Sequence, residues 1–189
     1  MSSGQKIPFA DAYRLAERIA GELRPLCRRV KAVGSLRRRR PYVRDLEFLL
    51  EPETSGDLFG GEQALIEPVR NCAARLGTLT KDGHRYVQFT TNEVAVDLFL
   101  CYPPAEWGSL LAIRTGPATL GHLAMLQFQQ RGLIHSGGGL YRGHVSPSTK
   151  IPVPDEETFF RLAGLPCLPP HKRDRREAHT PIREAACTI

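Results

Sequence analysis

The sequence predicts an α/β (α+β) fold in which helices pack on a sheet, in one compact domain split into two lobes. Three observations carry that expectation. Residues 9–30 and 62–76 place apolar side chains at helical spacing. Residues 43–50, 86–91 and 94–101 alternate as strands do. A length of 189 residues, 41% of them hydrophobic, is enough to bury a core for one compact domain split into two lobes.

In the first helix Phe9, Ala12, Tyr13, Ala16, Ile19, Ala20 and Leu23 recur at the helical period, and Pro25 predicts a break before a second short turn. Residues 28–33 lead as a short strand into Gly34-Ser35, where the glycine permits a tight turn and the serine is a good N-cap. The run after it can start a helix whose open N–H groups face an anion. Arg37, Arg38, Arg39 and Arg40 add fixed positive charge beside that turn. Along the strand 43–50, Val43, Asp45, Glu47 and Leu49 point one way while Leu46, Phe48 and Leu50 point the other. Two carboxylates side by side repel unless a cation sits between them, and hard oxygen ligands of this kind suit Mg²⁺ with phosphate oxygens completing its shell. The same residues also fit a solvated strand edge beside an ordinary basic turn.

Residues 52–61, rich in Gly, Ser, Asp and Glu, read as a loop. The helix at 62–76 turns Ala64, Leu65, Val69, Cys72, Ala73 and Leu76 inward and meets Gly77 as a C-cap. Strands 86–91 and 94–101 form a hairpin across Asn92-Glu93. In the second of them Val94, Val96, Leu98 and Leu100 face one side, and Asp97 shares the other with Ala95 and Phe99. Asp97 is the third carboxylate to look for beside the pair; its alternative is a surface residue on a half-buried strand. Residues 118–131 read as a helix, 132–134 and 139–141 as short strands, and Gly137-Gly138-Gly139 as a hairpin turn rather than a phosphate loop. Residues 155–163 form a helix with acids in its first turn, and the polar tail 171–189 is expected to be loosely ordered.

The formal charge is +6. It is clustered at Arg28, Arg29, Lys31, Arg37 to Arg40 and Arg44, and again at Lys172, Arg173, Arg175 and Arg176, a pattern that attracts polyanions. Five scattered cysteines without Cys-x-x-Cys spacing read as reduced thiols, and six histidines lack zinc-ligand spacing. With no signal-peptide core and no apolar run of membrane-spanning length, a soluble cytoplasmic protein with no membrane partner is expected.

The run from Gly34-Ser35-Leu36-Arg37-Arg38-Arg39 to Asp45-Leu46-Glu47 resembles the nucleotidyltransferase signature of X-family (polymerase β-like) DNA polymerases, Gly-Ser-x-Arg-Arg-Gly followed by Asp-x-Asp. Arg39 stands where that family usually has Gly, and Glu47 where it usually has Asp. Downstream, the stretch from Trp107-Gly108 to Thr115-Gly116 is similar to the family's Trp-Gly-x-x-Leu-x-Tyr-Phe-Thr-Gly, with Ile113 and Arg114 in place of the aromatic pair. Gly164-Leu165-Pro166-Cys167-Leu168-Pro169-Pro170 is similar to its Gly-Leu-Pro-x-x-Pro-Pro.

That resemblance implies a polymerase β-type palm over residues 1–115 and a small thumb-like lobe with a charged tail over 116–189. This is the minimal arrangement of virus-encoded members, too short for an amino-terminal lyase domain and helix-hairpin-helix module. It implies transfer of a nucleoside monophosphate from a nucleoside triphosphate to a nucleic-acid 3′-hydroxyl, with release of pyrophosphate and with two Mg²⁺ ions for which Mn²⁺ can substitute. Asp45 and Glu47 would hold both ions, and Asp97 would complete the site of the ion that activates the attacking oxygen. Gly34, Ser35 and Arg38 would hold the triphosphate, with Ile113, Arg114, Thr115 and Gly116 also at the nucleotide. Arg37, Arg39 and Arg40 would meet the nucleic acid, a DNA primer or primer-template with RNA as the alternative, and the expected state is a monomer. Two rival readings stay open: a nucleotidyltransferase of the same superfamily acting on a protein or small molecule, and a catalytically inactive nucleic-acid-binding palm.

Overall fold

Strand alternation organises the first of two compact units, Met1–Tyr102 and Pro103–Ile189, into which the chain divides. The computed structural model describes residues 6–56, 62–92, 94–102 and 104–180. A two-residue strand, β1 (Ile7–Pro8), leads into helix α1 (Phe9–Leu23), which buries Ala12, Ala16, Ile19, Ala20 and Leu23. Pro25, with its fixed φ and missing N–H, turns the chain through one 3₁₀ turn. There follow β2 (Cys27–Ala32), the four-residue helix α2 (Gly34–Arg37), β3 (Tyr42–Val43) and β4 (Asp45–Pro52). Strands β5 (Thr54–Gly56) and β6 (Glu62–Ala64) pair with each other, and α3 (Ile66–Leu76), β7 (Thr78–Asp82), β8 (Tyr86–Thr91) and β9 (Val94–Leu100) complete the unit.

The main sheet has the order β2-β4-β9-β8-β7. Its β4–β9 pair is parallel and its other pairs are antiparallel. Leu46, Phe48 and Leu50 of β4, Val87 and Phe89 of β8, and Val94, Val96, Leu98 and Leu100 of β9 form one core with the apolar faces of α1 and α3. Because side chains alternate, Asp45, Glu47, Tyr86, Gln88 and Asp97 are left together on the opposite face.

The second unit contains α4 (Trp107–Thr115), α5 (Ala118–Gln130), the hairpin β10 (Leu133–Ser136) and β11 (Gly139–Arg142), β12 (Lys150–Ile151) paired to β11, and α6 (Glu156–Ala163). Leu120, Ala124, Phe128, Leu140, Phe159 and Phe160 lie in its core. Phe159 meets Phe128 and Phe160 edge to face at 5.1 and 5.3 Å. The expected glycine turn joins β10 to β11, with Gly137 and Gly138 at φ 58° and 93°, values that suit a two-residue hairpin. Asp155 caps α6 by accepting the Thr158 N–H at 2.7 Å.

Several expectations are corrected. The boundary falls at 102/103 rather than 115/116, because α4 packs with α5 and α6 and Ala112 belongs to the second core. The loop expected over 52–61 is partly strand, since β4 runs to Pro52 and β5 pairs with β6. That pairing takes up 62–64, so α3 starts at Ile66 and Ala64 and Leu65 lie outside it. Residues 171–180, expected to be loose, carry 3₁₀ turns, and Arg173, counted in the sequence within a basic cluster, is 1% exposed. Its Nη1 donates to Glu156 Oε1 at 2.6 Å, its Nε donates to the Leu168 carbonyl at 2.9 Å, and its guanidinium lies over the Phe160 ring. Residues 57–61 of the expected loop, Glu93 of the hairpin, residues 1–5 and the tail 181–189 lie outside the described residues. Among the described residues no helix is long and apolar enough to cross a membrane.

Candidate active site

The turn between β2 and β4 sets the site. Val33 donates its N–H to the Glu47 carbonyl at 2.8 Å, which holds the start of α2 against β4. Gly34 then adopts φ 61°, in the left-handed region. A Cβ built there would fall on Glu47 Oε2 and 2.7 Å from Glu47 Cδ, so the extra methylene of Glu47 brings its carboxylate into the space a side chain at Gly34 would need. Only glycine serves both demands. Ser35 is not the N-cap that its type suggested: Val33 occupies that position, and Ser35 lies in the first turn with a buried Oγ that has no hydrogen-bond partner.

Parallel pairing of β4 with β9 places Glu47 directly opposite Asp97 and Asp45 opposite Ala95. All three carboxylates are half-buried. Burial, and then the neighbouring Asp97 charge, push the Asp45 carboxyl above its ordinary range, against the opposing pull of its own main-chain N–H and of Arg44. Asp97 Oδ1 accepts from Tyr86 Oη at 2.6 Å and from Gln88 Nε2 at 2.7 Å. Gln88 is itself held by Thr80, whose hydroxyl donates to Gln88 Oε1 at 3.0 Å, and Tyr86 stacks on Phe99 at 5.3 Å. Among the described residues no three acidic, imidazole or thiol groups already stand close enough to enclose an ion. Glu47 leans toward Gly34 while Asp97 is held from β8.

The arginine run divides by alternation. Arg38 and Arg40 join Lys6, Ser35, Arg44 and Asp45 around a cavity of about 300 Å³. Arg37 and Arg39 line a different cleft, beside α1. Arg40, grouped with Arg37 and Arg39 in the sequence reading, therefore shares the cavity of Ser35 and Arg38. Ile113, Arg114, Thr115 and Gly116 belong to the second unit. Ile113 packs against that unit's core, Arg114 is exposed, Thr115 is buried, and Gly116 ends α4 at φ 70°.

Sequence reasoning missed Lys6, Tyr86 and Gln88, and counted Arg44 only within the basic cluster. Lys6 reaches the cavity through the short β1–β3 pairing, Ile7 with Val43 and Pro8 with Tyr42, which leaves no periodic signal. Tyr86 and Gln88 were legible in principle, because a two-residue period along β8 puts them on the face of Asp97 once the hairpin register is fixed.

No family model and no curated protein sequence matches the chain. Solved structures do. Polymerase beta of Leishmania infantum in a ternary P/T complex aligns with a TM-score of 0.74 at 15% identity, covering 92% of this chain and 78% of that one. The same protein in a ternary gap complex gives 0.71 at 16% identity, covering 90% and 71%. At that identity the likeness is one of fold, and the fold is polymerase β-like.

Proposed function

We propose that the chain is a nucleotidyltransferase of DNA polymerase type, which moves a nucleoside monophosphate from a nucleoside triphosphate to the 3′-hydroxyl of a nucleic-acid strand and releases pyrophosphate. One observation carries the proposal: the register that lines Glu47 up with Asp97 also sets Asp45 on the wall of the cavity lined by Lys6, Ser35, Arg38, Arg40 and Arg44. Phosphoryl transfer asks a protein mainly for positioning and for neutralisation of charge. Four cationic side chains answer the second need. Ser35 Oγ, buried without a partner, can donate to a phosphate oxygen and so recover a desolvation cost of about 1–3 kcal/mol.

Asp45, Glu47 and Asp97 fit Mg²⁺ or Mn²⁺, because they are hard oxygen donors on one sheet face and Asp45, disfavoured as an anion by burial and then by the Asp97 charge, would be favoured as one beside a cation. A pair of bound ions would supply charge neutralisation at the attacking and leaving oxygens. Tyr86 and Gln88 fix the Asp97 carboxylate plane through one oxygen and leave the other for the 3′-hydroxyl side. The proposed acceptor is a DNA primer or primer-template, with RNA as the alternative, and the proposed working state is a monomer in the cytoplasm.

The test is extension of a labelled primer, with and without template, in Mg²⁺ and in Mn²⁺, with pyrophosphate measured in parallel. Extension that is lost in Asp97→Asn is the expected result. Absence of both extension and pyrophosphate release on every strand supplied would overturn the proposal.

A further inference from the structure

A second cleft, of about 390 Å³, opens between α1, β2 and α2. Phe48 lines it, so it lies on the α1 side of the sheet, opposite the face that carries Glu47 and Asp97. Its charge is one-sided: Arg24, Lys31, Arg37 and Arg39 line it with a single acid, Glu17. That acid already accepts from Arg24 Nη2 at 3.0 Å. The cleft also carries an aromatic platform. Tyr13 is 50% exposed on the solvent side of α1, although its spacing predicts a core position. It stacks on Phe9 at 6.0 Å with 28° between the ring planes, an arrangement that holds its orientation.

Arg39 supplies the strongest reason to look for a ligand. It adopts φ 56°, a conformation in which glycine is at ease and an arginine is strained. The backbone there asks for glycine, and the chain instead presents a guanidinium to the cleft. Strain of this kind persists where the side chain has a use. Cations around an open aromatic ring match the chemistry of an unpaired strand, whose phosphates meet the charges while a base stacks on the ring. A duplex offers its phosphates but keeps its bases stacked within, and an acidic peptide has no base to seat.

We propose that this cleft binds an unpaired segment of a nucleic-acid strand, one base lying on Tyr13 and the adjoining phosphates meeting Arg24, Lys31, Arg37 and Arg39. The site is separate from the carboxylate face, so it is measured without nucleoside triphosphate or divalent ions, and its failure leaves the transfer reaction standing.

The experiment is fluorescence anisotropy of the full chain with a labelled short oligothymidylate in EDTA, titrated over a range of salt. Tyr13→Ala should weaken binding by about fivefold or more with the salt slope unchanged, since it removes stacking and no charge. Lys31→Ala and Arg39→Gly should each weaken binding and lower the salt slope by about 0.7, the value for one single-strand phosphate contact. Arg39→Gly should also unfold no earlier than the parent, because glycine accepts that φ, so its loss of affinity is not a loss of fold. Competition by blunt duplex or by polyglutamate should be at least tenfold poorer than by unlabelled oligothymidylate. The proposal is overturned by an oligothymidylate that does not bind, by a Tyr13→Ala variant that binds like the parent, or by polyglutamate that competes equally and so marks the cleft as a seat for an acidic peptide.

Discussion

Gly34→Ala tests the joint between the signature turn and the carboxylates, and its cost divides into two parts. Gly34 sits at φ 61°. A Cβ at such a φ costs about 1–2 kcal/mol, of which roughly 0.5 kcal/mol returns because alanine loses less conformational freedom on folding. The second part is local. The added methyl would overlap Glu47 Oε2 and approach Glu47 Cδ, both at the flexible end of a side chain, so the backbone can stay and Glu47 must swing away. Forcing that side chain off its rotamer costs a further ~1 kcal/mol. The sum is about 2 kcal/mol, a fall in Tm of roughly 4–8 °C for a chain of this size.

The Glu47→Asp background separates the two parts. It withdraws the carboxylate by one carbon–carbon bond, about 1.5 Å, and removes the overlap while leaving the φ penalty in place. A double-mutant cycle should therefore return a coupling of about 1 kcal/mol between positions 34 and 47, read by thermal unfolding in EDTA. Primer extension should follow the same pattern: Gly34→Ala slow in the parent chain, and partly restored when Glu47→Asp accompanies it. Equal losses of Tm in both backgrounds would show that Glu47 does not occupy the space at Gly34 and that the turn and the carboxylate are not coupled.

Other consequences can be checked directly. The raised Asp45 carboxyl gives stability that is fully present below its ordinary value of 3.8 and is lost as pH rises through its folded value, so in EDTA at neutral pH Asp45→Asn should melt above the parent and the two should converge in acid. Adding Mg²⁺ should then raise the parent's Tm more than the variant's, and a Tm of the parent that ignores Mg²⁺ would count against the metal assignment. Tyr86→Phe removes one of two donors to Asp97 Oδ1 and should lower kcat about tenfold with nucleotide KM unchanged; a KM that climbs in step would make Tyr86 a nucleotide contact instead. Arg38→Ala and Arg40→Ala should raise nucleotide KM, whereas Arg37→Ala and Arg39→Ala should lower the salt slope of strand binding, and four identical profiles would reduce the run to a diffuse patch. Ile113 packs into the second core and offers no flat aromatic wall, so discrimination between deoxy- and ribonucleotides should stay within about tenfold; a thousandfold preference, roughly 4 kcal/mol, would refute this.

What could be read from the sequence follows from where period and packing coincide. Val94, Val96, Leu98 and Leu100 are buried and Asp97 is not, so alternation alone placed the third carboxylate on its face. The hairpin glycines were legible because a local rule is satisfied locally, and so was the acidic start of α6, although Asp155, read as the first helical residue, is its N-cap. Strand β7 was not, because Thr78–Asp82 is exposed along its whole length and exists as an edge hydrogen-bonded to β8 rather than as an apolar stripe. Lys6 was hidden by strands two residues long, and Arg173 by lying in a charge run, since it finds Glu156 and Phe160 only in three dimensions.

Arg39 and Glu47, the two departures from the family signature, show what the backbone adds to the reading. As letters, each is a substitution that weakens a motif. In the fold, Glu47 fills the space beside Gly34. Arg39 takes a left-handed φ and turns toward the cleft of Tyr13 rather than the cavity of Ser35 and Arg38. In the proposed site, an arginine directed into the cavity of Ser35 and Arg38 would crowd the triphosphate. The same arginine, directed to the far side of α2, leaves the cavity to Arg38 and Arg40 and adds a cation where α1 already exposes an aromatic ring. The departure at Arg39 is therefore compatible with the signature, because its left-handed φ in the turn after α2 sends Arg39 to a different side from Arg38 and Arg40.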